Sequence, residues 1–347
     1  MFVKQQEGKV TFYAPKGKIS ALLPVFYNPL MRLNRDFSVL AVRAWGKKVQ
    51  YADILASTGI RGMRLLKETT AVKRLVMNDR NPKFLPLVRK NLALNGLRGK
   101  AELASKDANV LLYASTGFDV IDIDPFGSPN AFLDAALSRM ARKGLLFVTA
   151  TDTANLAGVY PQTGLRKYWA TPLHNHLMHE VGLRILIRRV QLIAADKDRA
   201  AMPLFSYFRD HYYRICFSIE KGKTKAEKMF KEISPLSYSV EKGLTADEKG
   251  EFGPAWVGQL HDAGFLAKMA KYAKEMPEDT QKFLALLQGE AKVGGLGFID
   301  LHEESRQGRK APMKVKDALA YYKKKGYPVS QSHLCQWGIS LRRVSRQ

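Results

Sequence analysis

The sequence predicts an α/β protein with a doubly wound, mostly parallel sheet, followed by a smaller, basic α+β domain. Between about residues 48 and 219, short apolar runs alternate with amphipathic stretches, which is typical of parallel strands joined by helices. After residue 219 this alternation stops and lysine-rich and helical patterns take over. We therefore expect one domain at 1–219, with an N-terminal extension at 1–47, and a second at 220–347.

The first domain contains a series of strand and helix candidates in alternation. The predicted strands are Val49–Ala56, Arg74–Met77, Ala101–Ala104, Val120–Ile123, Gly144–Ala150 and, later in the chain, Tyr207–Ile219. The predicted helices are Arg61–Glu68, Pro82–Asn95 and Ala131–Met140. In such a sheet, ligands bind at the carboxyl ends of the strands, so the residues that follow each strand are the candidate site residues.

The second domain is predicted mainly from composition. Residues 220–250 are rich in Lys, Glu, Gly and Ser, which indicates a connector or a poorly ordered insertion. Helical patterns follow from about residue 252, at Phe265–Met276, Asp279–Leu287 and Lys316–Lys325.

The net charge of +24 indicates a polyanionic partner, with nucleic acid as the first candidate and an anionic membrane surface as the second. Between residues 305 and 347 there are eleven Lys or Arg and one acidic residue, and aromatic residues are interleaved with them. This stretch is interpreted either as a face that follows phosphates or as a solvated helix surface, and the aromatic residues favour nucleic acid.

The cysteines, the N-terminal segment and the apolar runs of the sequence predict where in the cell the protein is located. The two cysteines, Cys216 and Cys335, match no disulfide framework and no metal-binding spacing, which favours a reducing compartment. Residues 1–18 show no signal-peptide pattern, and no apolar run reaches the roughly 18 residues that span a bilayer. We expect a cytoplasmic protein with no membrane partner.

A histidine cluster at His174, His176 and His179, next to Glu180, has the composition of a metal site but not its spacing. A zincin would need a histidine four residues after His179, and Leu183 stands there. The cluster is therefore interpreted as helix surface or RNA contact, and no metal is expected.

Three features after successive strands suit a nucleoside cofactor. Gly59 lies in a turn of small residues, Ala56–Gly62, that lets the backbone approach a ligand, and no P-loop lysine follows. Asp79, 20 residues later, is placed to accept both hydroxyls of a ribose, and Asp107 is placed to accept from an adenine amino group. Either aspartate could instead be a helix cap. Together the three suit S-adenosyl-L-methionine, which carries an adenosine without phosphate.

The string Asp124-Pro125-Phe126-Gly127 is the most specific one in the chain. Pro125 keeps Asp124 extended at the end of the fourth strand, and Phe126 offers a flat face on which a base can stack. An exocyclic amine on a base is a poor nucleophile, and a carboxylate that accepts its N–H can orient it and take its proton. The alternative interpretation is an ordinary strand-to-turn Asp-Pro with a buried phenylalanine.

Several motifs occur in a fixed order around these residues. They are Pro24–Pro29 with Asn34–Ser38, then Ser57–Arg64, Asn78–Gly96, Asp124–Pro129, Thr149–Thr153, Arg166–Tyr168 and His179–Leu186. In these motifs the chain resembles the tRNA guanine-26 N2-dimethyltransferases of archaea and eukaryotes. The resemblance covers about residues 8–219, with a weaker match near 256–265 and 326–340.

The resemblance implies a Rossmann-like class I S-adenosylmethionine-dependent methyltransferase domain and a tRNA substrate clamped by the basic C-terminal domain. It places Asp124 on the catalytic aspartate, and Phe26 and Phe126 where aromatic rings enclose the target guanine. It implies a cofactor role for Arg35, Gly59, Arg61, Asp79, Asp107 and Ala108. Arg35 is expected to pair with the methionyl carboxylate, and Arg61 could contribute likewise, unless either arginine forms a surface salt bridge. A monomer is expected.

One departure from the family concerns zinc. Many relatives carry four zinc-binding cysteines in the C-terminal domain, and the corresponding stretch at about 238–252 has none. Structural zinc is therefore not expected. Two other hypotheses stay open at this point: an amino methyltransferase for adenine in RNA or DNA, and a basic RNA-binding protein without catalysis.

Overall fold

A computed structural model describes residues 2–17, 23–308 and 311–342. Parts of the predicted N-terminal extension (1 and 18–22) and of the basic tail (309–310 and 343–347) lie outside the described residues. Contacts group the chain into two compact units. The first unit comprises residues 1–150, 218–220 and 268–280, and the second comprises 151–217, 221–267 and 281–347. This grouping does not test the predicted domain boundary between residues 219 and 220, which stays a prediction.

The strands and helices are numbered in chain order. The strands are β1 Phe2–Glu7, β2 Val10–Pro15, β3 Val49–Asp53, β4 Val72–Asn78, β5 Glu102–Ala104, β6 Phe118–Ile123, β7 Met140–Ala150, β8 Arg199–Arg209, β9 Tyr212–Lys221, β10 Ile233–Ser239, β11 Gly243–Ala246, β12 Phe252–Trp256, β13 Ile299–Asp300, β14 Val329–Gln331 and β15 Gly338–Leu341. The helices are α1 Arg32–Trp45, α2 Ile60–Glu68, α3 Phe84–Leu94, α4 Ala108–Tyr113, α5 Asn130–Arg139, α6 Thr153–Leu156, α7 Pro161–Tyr168, α8 Met178–Asp196, α9 Lys223–Phe230, α10 Ala263–Ala270, α11 Glu278–Val293, α12 Leu301–Gly308 and α13 Val315–Lys324. Short 3₁₀ turns lie at Pro29–Met31 and Ala273–Glu275.

The first unit is built on a parallel sheet with the strand order β5-β4-β3-β6-β7, which confirms the predicted fold class. Ala52 of β3 pairs with Val76 on one side and Ile121 on the other. The chain runs outward from β3 through β4 to β5 and then returns to β6 on the opposite side of β3. Ligands bind at such a switch in strand order, so the carboxyl ends of β3 and β6 mark the expected site.

The central strands β3 and β6 are largely buried, and apolar side chains alternate in them with a few acidic or amide groups. In β6, five of the six residues are buried, as expected for a parallel strand covered on both faces. The edge strand β5 has no fully buried residue and is only three residues long, which limits pairing with other chains. This unit also includes residues 218–220 of β9, which continue the sheet beyond β7, where Lys143 forms an ion pair with Glu220.

Helix α2 lies close against β4 because Gly62 has no side chain. A Cβ atom at this position would lie 2.4 Å from the sulfur of Met77 and 3.1 Å from a methyl carbon of Leu75. Such distances are far below normal van der Waals contact. Gly62 therefore allows the close approach that brings the start of α2 to the carboxyl ends of the strands.

The N-terminal hairpin β1–β2 is attached to α3 by two asparagines. Asn91 accepts from the backbone N–H of Tyr13 at 2.8 Å and donates to its carbonyl at 3.1 Å. Asn95 forms the same pair of bonds with Thr11, at 3.1 Å and 2.7 Å. Each asparagine side chain thus bonds to both the N–H and the carbonyl of one β2 residue, as the backbone of a neighbouring strand would.

Two secondary-structure predictions were wrong. The single strand predicted at Tyr207–Ile219 is a hairpin of β8 and β9, and Asp210 turns the chain with a φ of 52°. The stretch 220–250, predicted as a connector or poorly ordered, is regular structure: α9 is followed by strands β10 and β11, and the order in that sheet is β11-β10-β12. This sheet spans most of the cysteine-free stretch at about 238–252, and it buries Leu236 and Leu244.

The second unit contains another small sheet, with the order β13-β15-β14. Leu301, Ala318 and Ile339 form a buried cluster between this sheet and the helices α12 and α13. The predicted helix Lys316–Lys325 corresponds to α13. Within the described ranges, no helix has both the length and the apolar composition that crossing a membrane requires.

Candidate active site

The turn between β3 and α2 forms one wall of the site. Gly59 has a φ of 74° and starts α2, and a Cβ there would lie 3.1 Å from two methyl carbons of Val88. Ser57 also has a positive φ, 50°, and its backbone N–H donates to Asp79 at 2.9 Å. Its hydroxyl donates to the carbonyl of Phe26. The small residues that the sequence placed here thus hold a tight, left-handed turn.

Asn78 ties together the ends of three neighbouring strands. Its side-chain amide donates to the carbonyls of Ile54 and Lys106 at 3.0 and 3.1 Å, and its oxygen accepts from Lys106 N–H at 3.0 Å. The next residue, Asp79, is therefore fixed at this edge. Its carboxylate accepts from the N–H groups of Ser57 and Asn81, and burial raises its pKa despite those bonds.

Asp107 lies where the sequence predicted it, after β5, and it caps α4. Its carboxylate accepts from the N–H groups of Asn109 and Val110 at 2.9 and 3.3 Å. Ala108 is the first residue of α4 and is buried. The geometry thus agrees with the interpretation of Asp107 as a helix cap. Its role toward an adenine stays a prediction.

Arg61 is the centre of a buried polar cluster. One terminal nitrogen donates to Asn34 Oδ1 at 2.7 Å and to Ser38 Oγ at 2.8 Å, and it lies 3.2 Å from Asp122. The other terminal nitrogen donates to Asp124 Oδ2. Burial lowers the pKa of the guanidinium, but the carboxylates of Asp122 and Asp124 outweigh burial and raise it, so Arg61 stays charged.

Asp124 follows β6 at the switch in strand order, with 18% of its side chain exposed. Its Oδ2 is held by Arg61, and its Oδ1 makes no hydrogen bond within the described part of the chain. The carboxylate is thereby oriented by one oxygen and open at the other. Such an arrangement suits an acceptor for a substrate N–H.

Phe26 and Phe126 lie beside Asp124 as a pair. Their ring centroids are 4.6 Å apart, with an angle of 83° between the planes, which is an edge-to-face contact. Phe126 is 62% exposed and Phe26 is half-buried. The sequence predicted that both rings belong to one site, and the structure brings them into contact. The exposed ring of Phe126 offers a face on which a base can stack.

Arg35 is paired within the first unit. Its guanidinium forms a two-pronged pair with Glu7, at 2.7 and 2.6 Å, and donates to the carbonyl of Asn28 at 3.1 Å. Arg35 thus forms a salt bridge, but the pair is buried and not on the surface as the alternative expected. Its role toward the cofactor stays a prediction.

Sequence reasoning did not single out Asp53, the last residue of β3. This residue is 2% exposed, and its Oδ2 has no hydrogen-bond partner within the described residues. Burial raises its pKa to about 7, an effect that Arg61 opposes and that Asp122 and Asp124 reinforce. Its sequence signal was its place: an acid that ends the first strand, directly before the turn of small residues.

The site's residues fit S-adenosylmethionine. Asp79 and Asp107 follow β4 and β5, where contacts with an adenosine were predicted, and Asp53 has a buried carboxylate oxygen without a hydrogen-bond partner among the described residues that could face a cationic group. No lysine of a phosphate-binding loop follows Gly59. The arrangement suits a cationic nucleoside better than a nucleotide.

The histidines near residue 176 have separate partners. His174 Nδ1 lies 2.9 Å from the carbonyl of Ala157, whereas His176 contacts the ring of Tyr238. His179 stacks on Phe208 at 3.6 Å and lies 3.1 Å from the Tyr213 hydroxyl, and burial lowers its pKa to about 4. The interpretation of His179 as surface or RNA contact was wrong, because it packs within the second unit.

A different group has the composition of a metal site. Ligand atoms of His261, Glu290 and His333 lie within 4.8 Å of one another in the second unit. His333 contacts Glu290 at 2.6 Å through Nδ1 and at 3.0 Å through its backbone N–H. The N–H of Ser206 donates to His261 Nδ1, so the proton of a neutral His261 ring lies on Nε2, facing Glu290. Glu290 thus joins the two histidines, with a hydrogen bond to His333 and a 3.6 Å contact to His261, while Nε2 of each histidine makes no hydrogen bond within the described residues.

Known proteins resemble this chain over its whole length. The sequence pattern of the N2,N2-dimethylguanosine tRNA methyltransferases matches residues 3–342. A protein of Pyrobaculum aerophilum named tRNA (guanine(26)-N(2))-dimethyltransferase is 37% identical over 346 residues, which cover 97% of this chain and 92% of that protein. A protein of Aquifex aeolicus named tRNA (guanine(26)-N(2)/guanine(27)-N(2))-dimethyltransferase is 36% identical over 324 residues, which cover 85% of this chain and 83% of that one.

Among solved structures, Trm1 of Pyrococcus horikoshii in complex with S-adenosyl-L-methionine superimposes with a TM-score of 0.90 and 32% sequence identity. The match covers 99% of this chain and 97% of the other. The family match, the curated relatives and the shared fold lead to one conclusion: this chain belongs to the N2,N2-dimethylguanosine tRNA methyltransferase family.

Proposed function

We propose that this protein is an enzyme that methylates the exocyclic N2 of guanine 26 in tRNA, with S-adenosyl-L-methionine as the methyl donor. The observation that carries the proposal is Asp124: one oxygen is held by Arg61, the other is open, and the exposed ring of Phe126 lies beside it. The family's relatives are named for this reaction, and a related structure holds this cofactor.

S-adenosylmethionine supplies a methyl group activated by a positively charged sulfur. The residues of the chain have to orient the amine, because its lone pair is delocalised into the guanine ring. Asp124 Oδ1 accepts the N–H of the amine and takes the proton that the nitrogen loses when its bond to carbon forms. Arg61 holds the carboxylate in place through Oδ2, so little reorganisation is needed.

The aromatic pair selects and holds the base. A guanine within a stem must leave its stack to reach the carboxylate, and stacking on an aromatic ring offsets part of that cost. Phe126 provides the exposed face, and the edge-to-face contact with Phe26 fixes its orientation. The same pocket serves two rounds, because the amine that has gained one methyl still carries one N–H for Oδ1.

The test is methyl transfer from labelled S-adenosylmethionine to unmodified tRNA transcripts, followed by nucleoside mass spectrometry. We expect N2-methylguanosine early and N2,N2-dimethylguanosine later. A transcript with adenine at position 26 should lose the product. Because one relative is named for guanine 27 as well, a second transcript with adenine at 27 separates the two positions.

Each outcome has a defined meaning. Methyladenosine as product would refute the guanine assignment while keeping the fold and the cofactor. Transfer to the guanine-26 transcript that is lost in Asp124→Asn would support the assignment of Asp124. Absence of transfer to any RNA, together with normal RNA binding, would refute the proposed enzyme and favour a non-catalytic RNA-binding protein.

A further inference from the structure

An aromatic side chain at the end of α7 in the second unit lies open to solvent. Trp169 caps this helix with a φ of 53°, a left-handed conformation that tryptophan rarely adopts, and it is 60% exposed. Leu165, one turn earlier on the same side of the helix, is also exposed. A large aromatic ring at such a position buries little apolar surface, so core packing does not explain it.

Two adjacent arginines of α8 hold Trp169 in this position. The Arg189 guanidinium lies 4.4 Å from the centre of its ring, and Arg188 donates to its carbonyl at 2.9 Å. These contacts fix both the backbone and the ring plane. We call Leu165, Trp169, Arg188 and Arg189 the Trp169 surface.

The positive charge of the Trp169 surface is not neutralised. Neither Arg188 nor Arg189 has a carboxylate partner within the part of the chain that the structure describes. The pKa of Arg188 is lowered by burial and by its neighbour Arg189, and burial lowers the pKa of Arg189 as well. Two adjacent like charges repel each other, and an anion between them would relieve this cost.

An exposed ring held beside two unpaired guanidinium groups has the chemistry of a nucleotide site. Unpaired bases stack on aromatic side chains, and arginine pairs with phosphate oxygens. A protein partner would have to supply an acidic and apolar segment, whereas RNA supplies both a base and a phosphate at every residue. The net charge of +24 favours the polyanion.

We propose that the Trp169 surface binds an unpaired nucleotide of the RNA substrate, with its base on Trp169 and its phosphate at Arg188 and Arg189. This inference rests on the proposed function, because it takes the substrate to be tRNA. It adds a substrate contact that is separate from the residues that hold the target guanine.

The first experiment measures the Kd for unmodified tRNA with Trp169→Ala and Trp169→Phe in the full-length protein. Loss of a stacked base should weaken binding of the alanine variant roughly 5- to 100-fold. The phenylalanine variant should retain most of the affinity, because it keeps an aromatic face. A 16-base-pair RNA duplex serves as second probe (a length on the order of a double-stranded binding site), and its Kd should change little.

The second experiment tests the phosphate contact through salt dependence. Arg188→Gln/Arg189→Gln should lower the slope of log Kd against log salt by about 1 to 2. The matched control is Arg98→Gln/Lys100→Gln, which removes two exposed charges in the first unit, near the amino-terminal end of β5. The control should leave the salt slope and the Kd nearly unchanged. Thermal melting of each variant confirms that it is folded.

The outcomes separate this inference from the proposed function. Unchanged tRNA affinity in both Trp169→Ala and the arginine double variant would overturn the inference, even if the wild type methylates guanine 26. An equal loss of affinity for tRNA and for duplex would overturn the stacking of an unpaired base. Weakened tRNA binding by both variants, in a protein that transfers no methyl group, would support the Trp169 surface and refute the proposed function.

Discussion

Single residues at the carboxyl ends of β3 and β6 determine what chemistry the site can perform. Asp124 is exposed enough to meet a substrate, whereas Asp122, two residues earlier, is buried and bonded to the Tyr51 hydroxyl at 2.8 Å. Arg61 contacts both carboxylates. Side chains two residues apart lie on the same face of a strand, so both carboxylates reach Arg61. Asp124 is the more exposed of the two because it lies just past the end of β6.

Replacing Asp124 tests its role in catalysis. In Asp124→Ala, kcat should fall by about 10²- to 10⁴-fold, because no acceptor takes the amine proton. The Kd for tRNA should stay within about twofold of the wild type, since most binding energy comes from phosphate contacts. Single-turnover methylation and filter binding measure the two quantities. Normal turnover in this variant would show that another group accepts the proton.

Replacing Asp53 tests how its burial affects stability. The pKa of Asp53 is about 7 in the folded protein and near 3.8 when unfolded, so the folded state binds more protons between these values. Its ionisation therefore lowers the free energy of unfolding as pH rises from about 4, and the loss is complete above about 7. Asp53→Asn should be more stable than the wild type at pH 8 by roughly 2–4 kcal/mol.

The advantage of Asp53→Asn should become small near pH 4 and vanish below it, because the wild-type carboxyl is then protonated in the folded state and increasingly so in the unfolded state. Urea unfolding at pH 4.5, 6 and 8 measures the difference. The same variant should bind S-adenosylmethionine more weakly, because it keeps an acceptor oxygen but loses the negative charge that can face a cationic group. An equal stability difference at all three pH values would contradict the pKa assigned to Asp53.

At the scale of elements, buried ion pairs attach the β1–β2 hairpin to two helices. Glu7 at the end of β1 accepts from Arg35 of α1 and from Arg64 of α2, the latter at 3.0 Å. Arg64 also contacts Asp36 at 2.6 Å and Glu68 at 2.9 Å. Because these groups lie inside the protein, removal of one partner leaves a buried charge uncompensated.

Glu7→Gln should therefore cost about 3–5 kcal/mol of stability at neutral pH. Burial raises the pKa of Glu7, but Arg35 and Arg64 outweigh it and lower the pKa to about 2. The stabilisation is thus complete above about pH 4.5 and is lost as pH falls toward 2. Urea unfolding from pH 7 to 3 should show the variant and the wild type converging in acid.

The matched control for Glu7 is Glu275→Gln. Glu275 is also paired with cations, Arg43 and Lys9, but its side chain is 46% exposed. Exposed pairs contribute little because water screens them, so this variant should unfold almost as the wild type does. Similar losses in both variants would mean that burial is not the cause.

The elements that were predicted correctly are those whose pattern is local. The strands β3, β4 and β6 and helix α2 were found within a few residues, because apolar runs and glycines punctuate them. The stretch 220–250 misled because β10 and β11 are polar on one face and rich in lysine at their ends. Their pairing with β12 is a tertiary feature that composition does not reveal.

At the scale of the whole molecule, the excess positive charge favours every contact between the protein and RNA phosphates. Lys323, Lys324 and Lys325 at the end of α13 are exposed, and Lys325 lies 4.3 Å from the ring of Tyr321. Truncating the tail would remove Ala318 and Ile339 from their cluster with Leu301. Charge substitutions test the predicted phosphate-binding tail without disturbing that cluster.

Lys323→Gln/Lys324→Gln/Lys325→Gln should weaken tRNA binding and lower the salt slope by about 1 to 3, because each phosphate contact releases counterions. Fluorescence anisotropy with labelled tRNA at several salt concentrations measures the slope. The control replaces the same three lysines by arginine, which keeps the charge. An unchanged slope in the glutamine variant would show that this end of α13 is merely solvated.

The sequence by itself determined the α/β class, the turn at Gly59, the Asp124-Pro125 corner and the family, because each depends on residues that are adjacent in the chain. Only the tertiary structure decided how the charged side chains pair. Arg61 meets Asp124 across 63 residues, and Arg35 meets Glu7 across 28. No local pattern encodes such partners, since they depend on how the strands and helices assemble. The structure shows that Arg61 orients Asp124 and that Arg35 holds the N-terminal hairpin, and the predicted cofactor contacts of both arginines stay predictions.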